Sequence, residues 1–375
     1  MTSWIPNLYL KNGKRRDYNS KYLEQLTKDG KALLSTGVPV IFSLAHLAKI
    51  VDVPFGKLHE VVLRRVEPYR VFNIRKRSGG HRPIAVPEPF LMRTQRWINQ
   101  NILLKTKVHT CSKAYRPKCS PIKNAEVHCG ARWLIKLDIV SFFESIDERQ
   151  IYKVFRGLGY RALLAFELAR LTTRDVEHMQ NGQDVQWINS KLANGIPYPP
   201  VRVGTLPQGA PTSPGLANSV CYQMDVDLFA VAQTHGATYT RYADDIVISG
   251  CSDFSRQEAT KILKQCLAVL RKHNFKRNDQ KTHIVPPGSR KIVTGLLVHG
   301  SRPSLNRDFR ERIEMHLYYA KRFGVAEHCQ RRRFFSIIGF HDHLRGLITY
   351  AHQVDPSLGK KYEQEFSSLQ WPMHF

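Results

Sequence analysis

The sequence predicts an α+β fold in which helical segments flank a mostly antiparallel sheet. Residues 20–70 and 301–375 carry apolar side chains at helical spacing. Between them, the segments 69–84, 133–138 and 238–249 have the apolar or alternating pattern of strands, and the first and last of these have the form of hairpins.

The composition is that of a large, strongly basic globular chain. Its 375 residues include 57 Lys and Arg against 31 Asp and Glu, a formal net charge of +26 at pH 7. With 42% hydrophobic and 10% aromatic residues, the chain has material for two or three packed subdomains, which excludes a disordered basic tail and a small disulfide scaffold. The charge predicts a polyanionic partner, nucleic acid first, because Lys and Arg neutralise phosphates and release counterions.

An anionic membrane surface is the competing partner for so basic a chain. No apolar run approaches the roughly 20 residues that span a bilayer, and the best one, 38–51, is interrupted by Pro39, His46 and Lys49. The N-terminus lacks the apolar core of a secretion signal. The seven cysteines have no paired spacing, which fits reduced thiols. We therefore expect a cytoplasmic protein with no membrane association.

The first segment, 1–66, is predicted to be a helical extension. Its apolar stripe consists of Leu23, Leu26, Leu33 and Leu34. Residues 43–62 have the pattern of a helix-turn-helix, with Ser43 as N-cap and a turn around Pro54. We favour a packing role for this pair over DNA reading, because short helical pairs are more often packing elements.

A basic hairpin is predicted for residues 69–84, with Gly79 and Gly80 at its turn. Cations lie on both of its arms, Lys76 on the first and Arg82 on the second. Such a hairpin can grip a triphosphate, although by itself it is more often a solvated edge.

An acidic residue ends the most apolar strand. The strand runs from Trp133 to Asp138, after which the chain is predicted to turn into a helix. A carboxylate in this position is costly to bury unless it is paired, protonated or bound to a metal ion. Asp138 is therefore a candidate functional residue.

Helical and loop segments separate this strand from the next. Helices are predicted for 91–104 and for the first part of 150–200, whose second part is loop-like. Residues 206–218 form a rigid Gly/Pro loop that opens a helix, where backbone N–H groups and Gln208 can approach a nucleotide.

Two adjacent carboxylates lie at the turn of the hairpin 238–249. Asp244 and Asp245 are flanked by apolar arms, and like charges in one turn repel. A divalent cation removes this conflict, whereas a solvated turn would normally have Gly or Asn beside it.

The last third of the chain is mostly helical. An amphipathic helix is predicted for 255–273, a short strand containing a glycine for 292–298, and a basic helical region for 301–375. This region contains the run Arg331–Arg333 together with the aromatic residues Tyr318, Tyr319, Phe334 and Phe335.

Three of these carboxylates point to one chemistry. Asp138, Asp244 and Asp245 can meet only if their strands are neighbours in one sheet, and there they would hold two Mg²⁺ ions roughly 4 Å apart. Positioning and charge neutralisation dominate phosphoryl transfer. With a basic hairpin, a Gln-Gly loop and a net charge of +26, the pattern predicts a template-directed polymerase.

In this order and spacing, the motifs resemble those of the reverse transcriptases, and most closely the bacterial retron reverse transcriptases. The general motifs are 75–84, 137–143, 206–214 and 242–245. Two further segments resemble retron motifs: Asn124 to His128 matches the Asn-Ala-x-x-His pattern, and Val293, Thr294 and Gly295 match Val-Thr-Gly.

The resemblance implies a right-hand polymerase with fingers, palm and thumb, an antiparallel palm sheet, an α-helical thumb and an N-terminal helical extension. The expected divisions are the extension 1–66, fingers 67–132, palm 133–149 and 201–300, a fingers or palm insertion 150–200, and the thumb with the RNA-binding C-terminal region 301–375.

The resemblance also implies roles for single residues. Asp138, Asp244 and Asp245 would bind two Mg²⁺ ions, with Mn²⁺ as a substitute, and Lys281 would act near the pyrophosphate as a proton donor. Phe143 would be the steric gate that favours dNTPs. The remaining substrate contacts would be Lys76, Arg82, Gln208, Gly209 and Tyr242. The RNA contacts would be Asn124, His128, Val293, Thr294, Gly295, Arg331, Arg332 and Arg333.

The family's reaction is implied in the same way. A retron enzyme binds its own structured noncoding RNA and copies part of it into a short single DNA strand, starting from the 2′-hydroxyl of an internal guanosine, so that the DNA is branched from the RNA. The expected partners are that RNA with its DNA product, dNTPs and an effector protein of the same anti-phage defence system.

Other interpretations stay open from the sequence alone. The chain can belong to another bacterial defence or group II intron-like reverse transcriptase lineage, or can be an RNA-binding scaffold for an effector in which catalysis is dispensable. A zinc site is a less favoured possibility, from the ligand types His109, Cys111, Cys119, His128 and Cys129. Lys281 and Arg331–Arg333 also fit solvated surface positions.

Overall fold

The structure is a computed structural model that describes residues 4–75, 79–175, 198, 203–253 and 255–372. Lys76, one of the predicted phosphate contacts, lies outside the described residues. So does most of the second half of the predicted insertion 150–200.

Helices and strands confirm the predicted α+β class. The helices are α1 Pro6–Lys14, α2 Ser20–Ser35, α3 Leu44–Val51, α4 Phe55–Val62, α5 Pro89–Asn101, α6 Pro121–Glu126, α7 Glu148–Gly157, α8 Ala162–Thr172, α9 Ser213–Val220, α10 Tyr222–Thr234, α11 Arg256–Lys272, α12 Arg307–Phe323, α13 Val325–Arg331, α14 Ile337–Val354 and α15 Pro356–Ser367. The strands are β1 Tyr69–Arg75, β2 His81–Pro87, β3 Trp133–Asp138, β4 Thr238–Tyr242, β5 Asp245–Gly250, β6 His283–Val285, β7 Ile292–Val293, β8 Leu296–Leu297 and β9 Ser304–Leu305.

The chain divides into two compact units, each built from separate segments. The first unit contains residues 1–117, 138–228 and 266–278. The second contains 118–137, 229–265 and 279–375.

The N-terminal helices of the first unit form as the sequence predicts. The side chain of Asn19 caps α2, which buries Leu23, Leu26 and Leu33 while Leu34 is exposed. Ser43 caps α3 by accepting a hydrogen bond from His46 N–H. Both α3 and α4 bury their apolar faces, which agrees with a packing role for this pair.

The basic hairpin is also in the first unit. β1 and β2 pair antiparallel from Tyr69 opposite Pro87 to Arg75 opposite His81. Gly79 and Gly80 lie in the connection with φ values of 87° and 77°, a region that glycine enters without steric cost.

A buried ion cluster lies within the first unit. The carboxylate of Glu148 is fully buried and is 2.6 Å from Arg64 Nη2 and 2.6 Å from Arg170 Nε. It also accepts hydrogen bonds from Thr173 Oγ1 at 3.1 Å and from Gly204 N–H at 3.1 Å. Burial lowers the pKa of Arg170 to about 10, against the opposing effect of Glu148. One carboxylate thus joins α7 and α8 to the end of the N-terminal helices.

The second unit contains a four-stranded sheet in the order β4-β5-β3-β6. β4 pairs antiparallel with β5, and β3 pairs antiparallel with β6. Leu134 and Val247 from this sheet join a core that continues through Val293 to Phe340 and Tyr362 of the C-terminal helices. The predicted palm strands and thumb helices therefore share one apolar core.

One predicted strand is instead a hairpin. Residues 292–298 form β7 and β8, joined by a two-residue turn at Thr294 and Gly295 with φ values of 46° and 86°. Two consecutive positive φ values are typical of a type I′ turn, whose twist matches the flanking strands. The turn was not predicted, because the apolar residues on both sides have the pattern of one continuous strand and the sequence does not show that the glycine has a positive φ.

The C-terminal helices enclose a group of histidines. His316 Nδ1 lies 2.9 Å from His328 Nε2, and the His316 ring packs 5.8 Å from that of His343. Burial, followed by the charges of His328 and His343, lowers the pKa of His316 to about 4. Burial also lowers the pKa of His328.

Acidification is expected to destabilise the second unit through this group. Between the unfolded pKa of His316, 6.5, and its folded pKa of about 4, the unfolded state holds more protons, so stability falls as pH decreases through that range. Melting temperatures measured near pH 7 and near pH 5 should differ less in His316→Gln than in the wild type. His352→Gln, at an exposed histidine of α14, should keep the wild-type difference, and an equal difference in all three proteins would contradict this assignment.

Among the described residues, no helix is long and apolar enough to cross a bilayer.

Candidate active site

The hairpin β4–β5 presents two adjacent acids at a tight turn. Tyr242 pairs with Asp245, so Ala243 and Asp244 form a two-residue loop. Ala243 has a φ of 59°, which an alanine adopts only at a cost of roughly 1 kcal/mol. The fully buried Arg241 donates from Nη1 to the Ala243 carbonyl at 3.1 Å and supports this conformation.

Asp138, the last residue of β3, is 4% exposed. Asn278 binds it twice: its N–H donates to the Asp138 carbonyl at 2.8 Å, and its Nδ2 donates to Asp138 Oδ1 at 3.0 Å. No role was predicted for Asn278, since an asparagine in a polar run has no distinguishing pattern. Its amide orients one carboxylate oxygen of Asp138.

The strand order explains how the acidic strand ends are arranged in the sheet. β3 is the neighbour of β5. Where β3 begins, Arg132 N–H donates to the carbonyl of Gly250, the last residue of β5, at 2.9 Å. The start of β3 therefore lies beside the end of β5. Leu137, near the end of β3, and Asp245, at the start of β5, lie at the opposite ends of these two strands.

The described side chains that could bind a metal ion do not form a complete metal site. Within the described ranges, no three His, Cys, Asp or Glu side chains are close enough together to hold a metal ion. The zinc possibility has no support, because both ring nitrogens of His128, one of its ligands, are hydrogen-bonded to hydroxyl groups. The carboxylates offer the oxygen ligands that Mg²⁺ prefers, but they do not form a three-ligand site by themselves.

The Gln-Gly loop lies against the basic hairpin in the first unit. Ala85 N–H, on β2, donates to the Gln208 carbonyl at 2.7 Å. Gly209 has a φ of 112°, and a Cβ atom there would lie 2.8 Å from Ile84 Cγ2. Only glycine fits this approach, so two of the predicted substrate segments are in contact.

Phe143 lies in a small aromatic group of the first unit. It is 8% exposed, with its ring 5.4 Å from that of Phe142 and 6.1 Å from that of Tyr115. Tyr115, which is 45% exposed, was not expected from the sequence. Phe143 is therefore packed beside two other aromatic rings.

Residues 74–296, more than half of the chain, match the sequence profile of the family described as reverse transcriptase (RNA-dependent DNA polymerase). The chain belongs to the reverse transcriptase family.

Several curated relatives of the chain are retron enzymes. It is 30% identical to the retron Ec73 reverse transcriptase of Escherichia coli, over 82% of this chain and 92% of that protein. It is 26% identical to the retron Ec86 reverse transcriptase of E. coli, over 88% of this chain and 94% of that protein. It is 27% identical to the retron Mx162 reverse transcriptase of Myxococcus xanthus, over 90% of this chain and 69% of that protein. A telomerase structure from Candida albicans aligns with 81% of this chain and 64% of its own at 10% identity and a TM-score of 0.37. The family profile and the retron relatives show that the protein is a retron-type reverse transcriptase, an RNA-directed DNA polymerase, as the motifs predicted.

The remaining substrate candidates of the reverse transcriptase lie on exposed or half-buried positions. Arg82 is exposed on β2, opposite Ile74. Lys281 is exposed in the turn before β6, and its carbonyl lies 3.0 Å from His283 Nδ1. Tyr242 is half-buried at the end of β4.

One retron-like motif contacts the helix that carries the start of the other in the second unit of the reverse transcriptase. Thr294 Oγ1 donates to the Pro121 carbonyl at the start of α6, 2.8 Å away. Asn124 and His128 are each 1% exposed, and Val293 is fully buried. Because these three side chains are buried, they are not accessible to RNA, and their RNA-binding role stays a prediction. Thr294 is half-buried and Gly295 is exposed.

The arginine run of the reverse transcriptase is exposed at the end of α13. Arg331, Arg332 and Arg333 all have exposed side chains. Arg331 pairs with Glu327 at 2.6 Å and its guanidinium lies 4.9 Å from the centre of the Phe323 ring.

Proposed function

We propose that this reverse transcriptase copies part of its own structured noncoding RNA into a short single-stranded DNA that stays joined to the RNA by a 2′–5′ linkage. The observation that carries the proposal is the hydrogen bond from Thr294, in one retron-like motif, to the Pro121 carbonyl of α6, the helix on which the other motif begins. The two motifs are distant in sequence, but the elements that carry them are joined in space, which supports a specialised role beyond general polymerisation. The retron relatives support it as well.

The proposed chemistry is nucleotidyl transfer at the carboxylates Asp138, Asp244 and Asp245. The strand order supports the cooperation of the three carboxylates, because Leu137 and Asp245 lie at the same end of the neighbouring strands β3 and β5. Two Mg²⁺ ions, or Mn²⁺ in their place, would supply charge neutralisation at the triphosphate and activation of the primer hydroxyl. The phosphate oxygens of a bound nucleotide would supply further oxygen ligands beside the three carboxylates.

The protein's own groups would bind and orient the nucleotide. Arg82, with Lys76, is proposed to hold its phosphates, because guanidinium and ammonium groups pair with phosphate oxygens. Gln208 and Gly209 are proposed to face the templating pair, and Tyr242 to line the nucleotide site beside the acidic turn. Lys281 is proposed to protonate the departing pyrophosphate.

Phe143 is proposed to select dNTPs by crowding a 2′-hydroxyl. The change Phe143→Val should lower the preference for dGTP over GTP by about 10- to 100-fold in kcat/KM, because it removes the bulk that opposes the hydroxyl. Steady-state extension of a primed RNA template measures this preference. Phe142→Val is the matched control: it removes the adjacent buried ring and should leave the preference unchanged. Unaltered discrimination in Phe143→Val would remove the gate assignment.

RNA binding is proposed for the surface around the arginine run. Tyr318 is 54% exposed, and Arg322 and Arg331 lie 5.2 Å and 4.9 Å from the centre of the Phe323 ring. Phe335 is fully exposed beside the run. Exposed aromatic rings among arginines suit unpaired bases and phosphates together.

The proposal is tested by the nucleic acid that the protein retains. The chain is expressed with its native upstream flanking DNA, and the purified protein is extracted and treated separately with RNase, DNase and debranching enzyme. We expect a short DNA whose mobility changes after both RNase and debranching treatment. RNA alone, in a protein that extends an added primer with dNTPs, would instead place the enzyme in another reverse transcriptase lineage.

The biological setting is proposed from the family. Retron systems pair the polymerase with an effector protein in anti-phage defence, and we propose the same for this chain, in the cytoplasm. The double change Asp244→Asn with Asp245→Asn separates it from the alternative, a scaffold that needs no catalysis.

A further inference from the structure

We propose that His128 is a positioning residue that fixes the hairpin carrying Asp244 and Asp245, rather than an RNA contact. The inference rests on the proposed catalytic role of those two acids. It starts from the surroundings of the His128 ring, which is 1% exposed within the second unit.

Both ring nitrogens of His128 are engaged by the hairpin. Nδ1 lies 2.7 Å from Ser249 Oγ, and Nε2 lies 2.7 Å from Thr240 Oγ1. Thr240 belongs to β4 and Ser249 to β5, so one ring joins the two strands.

The register shows why a single ring can reach both hydroxyl groups. Thr240 is directly opposite Val247, and Ser249 lies two residues further along β5, so Thr240 and Ser249 are diagonal neighbours on one face of the sheet. The imidazole has nitrogen atoms on two sides and spans this diagonal. A shift of one strand along the other would break at least one of its hydrogen bonds.

The hydroxyl groups are equally far from the acids along each strand. Thr240 lies four residues before Asp244, and Ser249 lies four residues after Asp245. At about 3.3 Å per residue, Ser249 is roughly 13 Å along β5 from Asp245, so His128 acts on the acidic turn through the strands.

The segment that carries His128 is itself held at both ends. At its start, Ser120 caps α6 and Thr294 Oγ1 donates to the Pro121 carbonyl. After the histidine, Gly130 N–H donates to the carbonyls of Val298 and Gly300 at 3.0 Å and 2.9 Å. His128 therefore connects the hairpin to a fixed support, and this support includes the Val-Thr-Gly turn.

The test separates positioning from RNA contact. Four variants are compared with the wild type: His128→Ala removes both hydrogen bonds, His128→Gln keeps a polar group, and Thr240→Val and Ser249→Ala each remove one hydroxyl at nearly constant shape. Hydrogen exchange of peptides covering 238–250, binding of Mn²⁺, affinity for the co-purified RNA, and kcat and KM for dNTPs are measured for each.

We expect faster amide exchange at 238–250 and weaker Mn²⁺ binding in His128→Ala, with kcat lowered by about 10²-fold because the acids are misplaced. The KM for dNTPs and the affinity for RNA should stay within twofold of the wild-type values. His128→Gln should recover part of the lost kcat. Thr240→Val and Ser249→Ala should show smaller effects, and combining either with His128→Ala should add little, because the partners act as one unit.

The control is His341→Gln, which changes another histidine of the second unit, 7% exposed, on α14. It should leave exchange at 238–250 at the wild-type rate even if the melting temperature falls. The proposal is overturned if His128→Ala weakens RNA binding while exchange at 238–250 is unchanged, or if Thr240→Val and Ser249→Ala leave exchange and kcat unaltered. A wild-type protein that fails to extend primers would refute the proposed function alone, since the exchange measurement does not depend on catalysis.

Discussion

The double change Asp244→Asn with Asp245→Asn is expected to lower the rate of DNA synthesis by about 10³-fold or more. The two carboxylates lie together at a strained turn that Arg241 supports. Asparagine keeps their size but removes both negative charges, and the loss of several kcal/mol of charge stabilisation corresponds to at least this factor in rate. Single-turnover extension of a primed RNA template with dNTPs gives the rate.

RNA affinity should be unchanged in the same double variant, because the proposed RNA surface lies on the C-terminal helices. Asp308→Asn is the control: its carboxylate is 72% exposed, 4.0 Å from Arg290, and its loss should leave the rate unaltered. If the double variant kept defence activity in cells while synthesis was lost, the scaffold interpretation would be correct. Retention of synthesis would exclude these acids from catalysis.

Replacing Glu148 is expected to cause the largest loss of stability. The change Glu148→Gln removes the carboxylate that the guanidinium groups of Arg64 and Arg170 share in a buried site. Removing one member of a buried ion cluster costs about 3–5 kcal/mol, because the remaining charges stay desolvated. Urea unfolding followed by circular dichroism measures the change in the free energy of unfolding.

An exposed ion pair of the same unit supplies the comparison. Glu60 pairs with Arg65 at 3.3 Å with both side chains largely in solvent, so Glu60→Gln should change stability by less than about 1 kcal/mol. A combined variant, Glu148→Leu with Arg64→Met and Arg170→Met, should recover much of the loss, since apolar groups need no counter-charge. Equal stability of Glu148→Gln and the wild type would show that water or other groups neutralise the site.

Much of the fold was accessible from the sequence because strong periodic patterns and turn residues coincide. The helix capped by Ser43, the hairpin with Gly79 and Gly80, and the strand ending at Asp138 were all predicted at nearly their observed bounds. These elements depend on local signals, which a single sequence contains.

Contacts between distant polar residues were not accessible in the same way. Asn278 binds Asp138, and His128 binds Thr240 and Ser249, but neither pairing has a sequence spacing that reveals it. The turn at Thr294 was missed for a related reason, since two apolar pairs on either side gave the pattern of one strand. Burial and register, which only the three-dimensional structure contains, decide these positions.

Because each compact unit is built from three separate segments of the chain, strands of one sheet are made at different times on the ribosome. β3 emerges long before its sheet neighbours, since β5 begins roughly 100 residues later and β6 is more distant still. At about 5–20 residues per second, this apolar strand waits on the order of 10 s without its native partners. Unpaired strand edges are templates for aggregation during such an interval. No single cut of the chain releases either unit whole: the first unit lacks residues 266–278 until late in synthesis, and the second also needs its C-terminal helices.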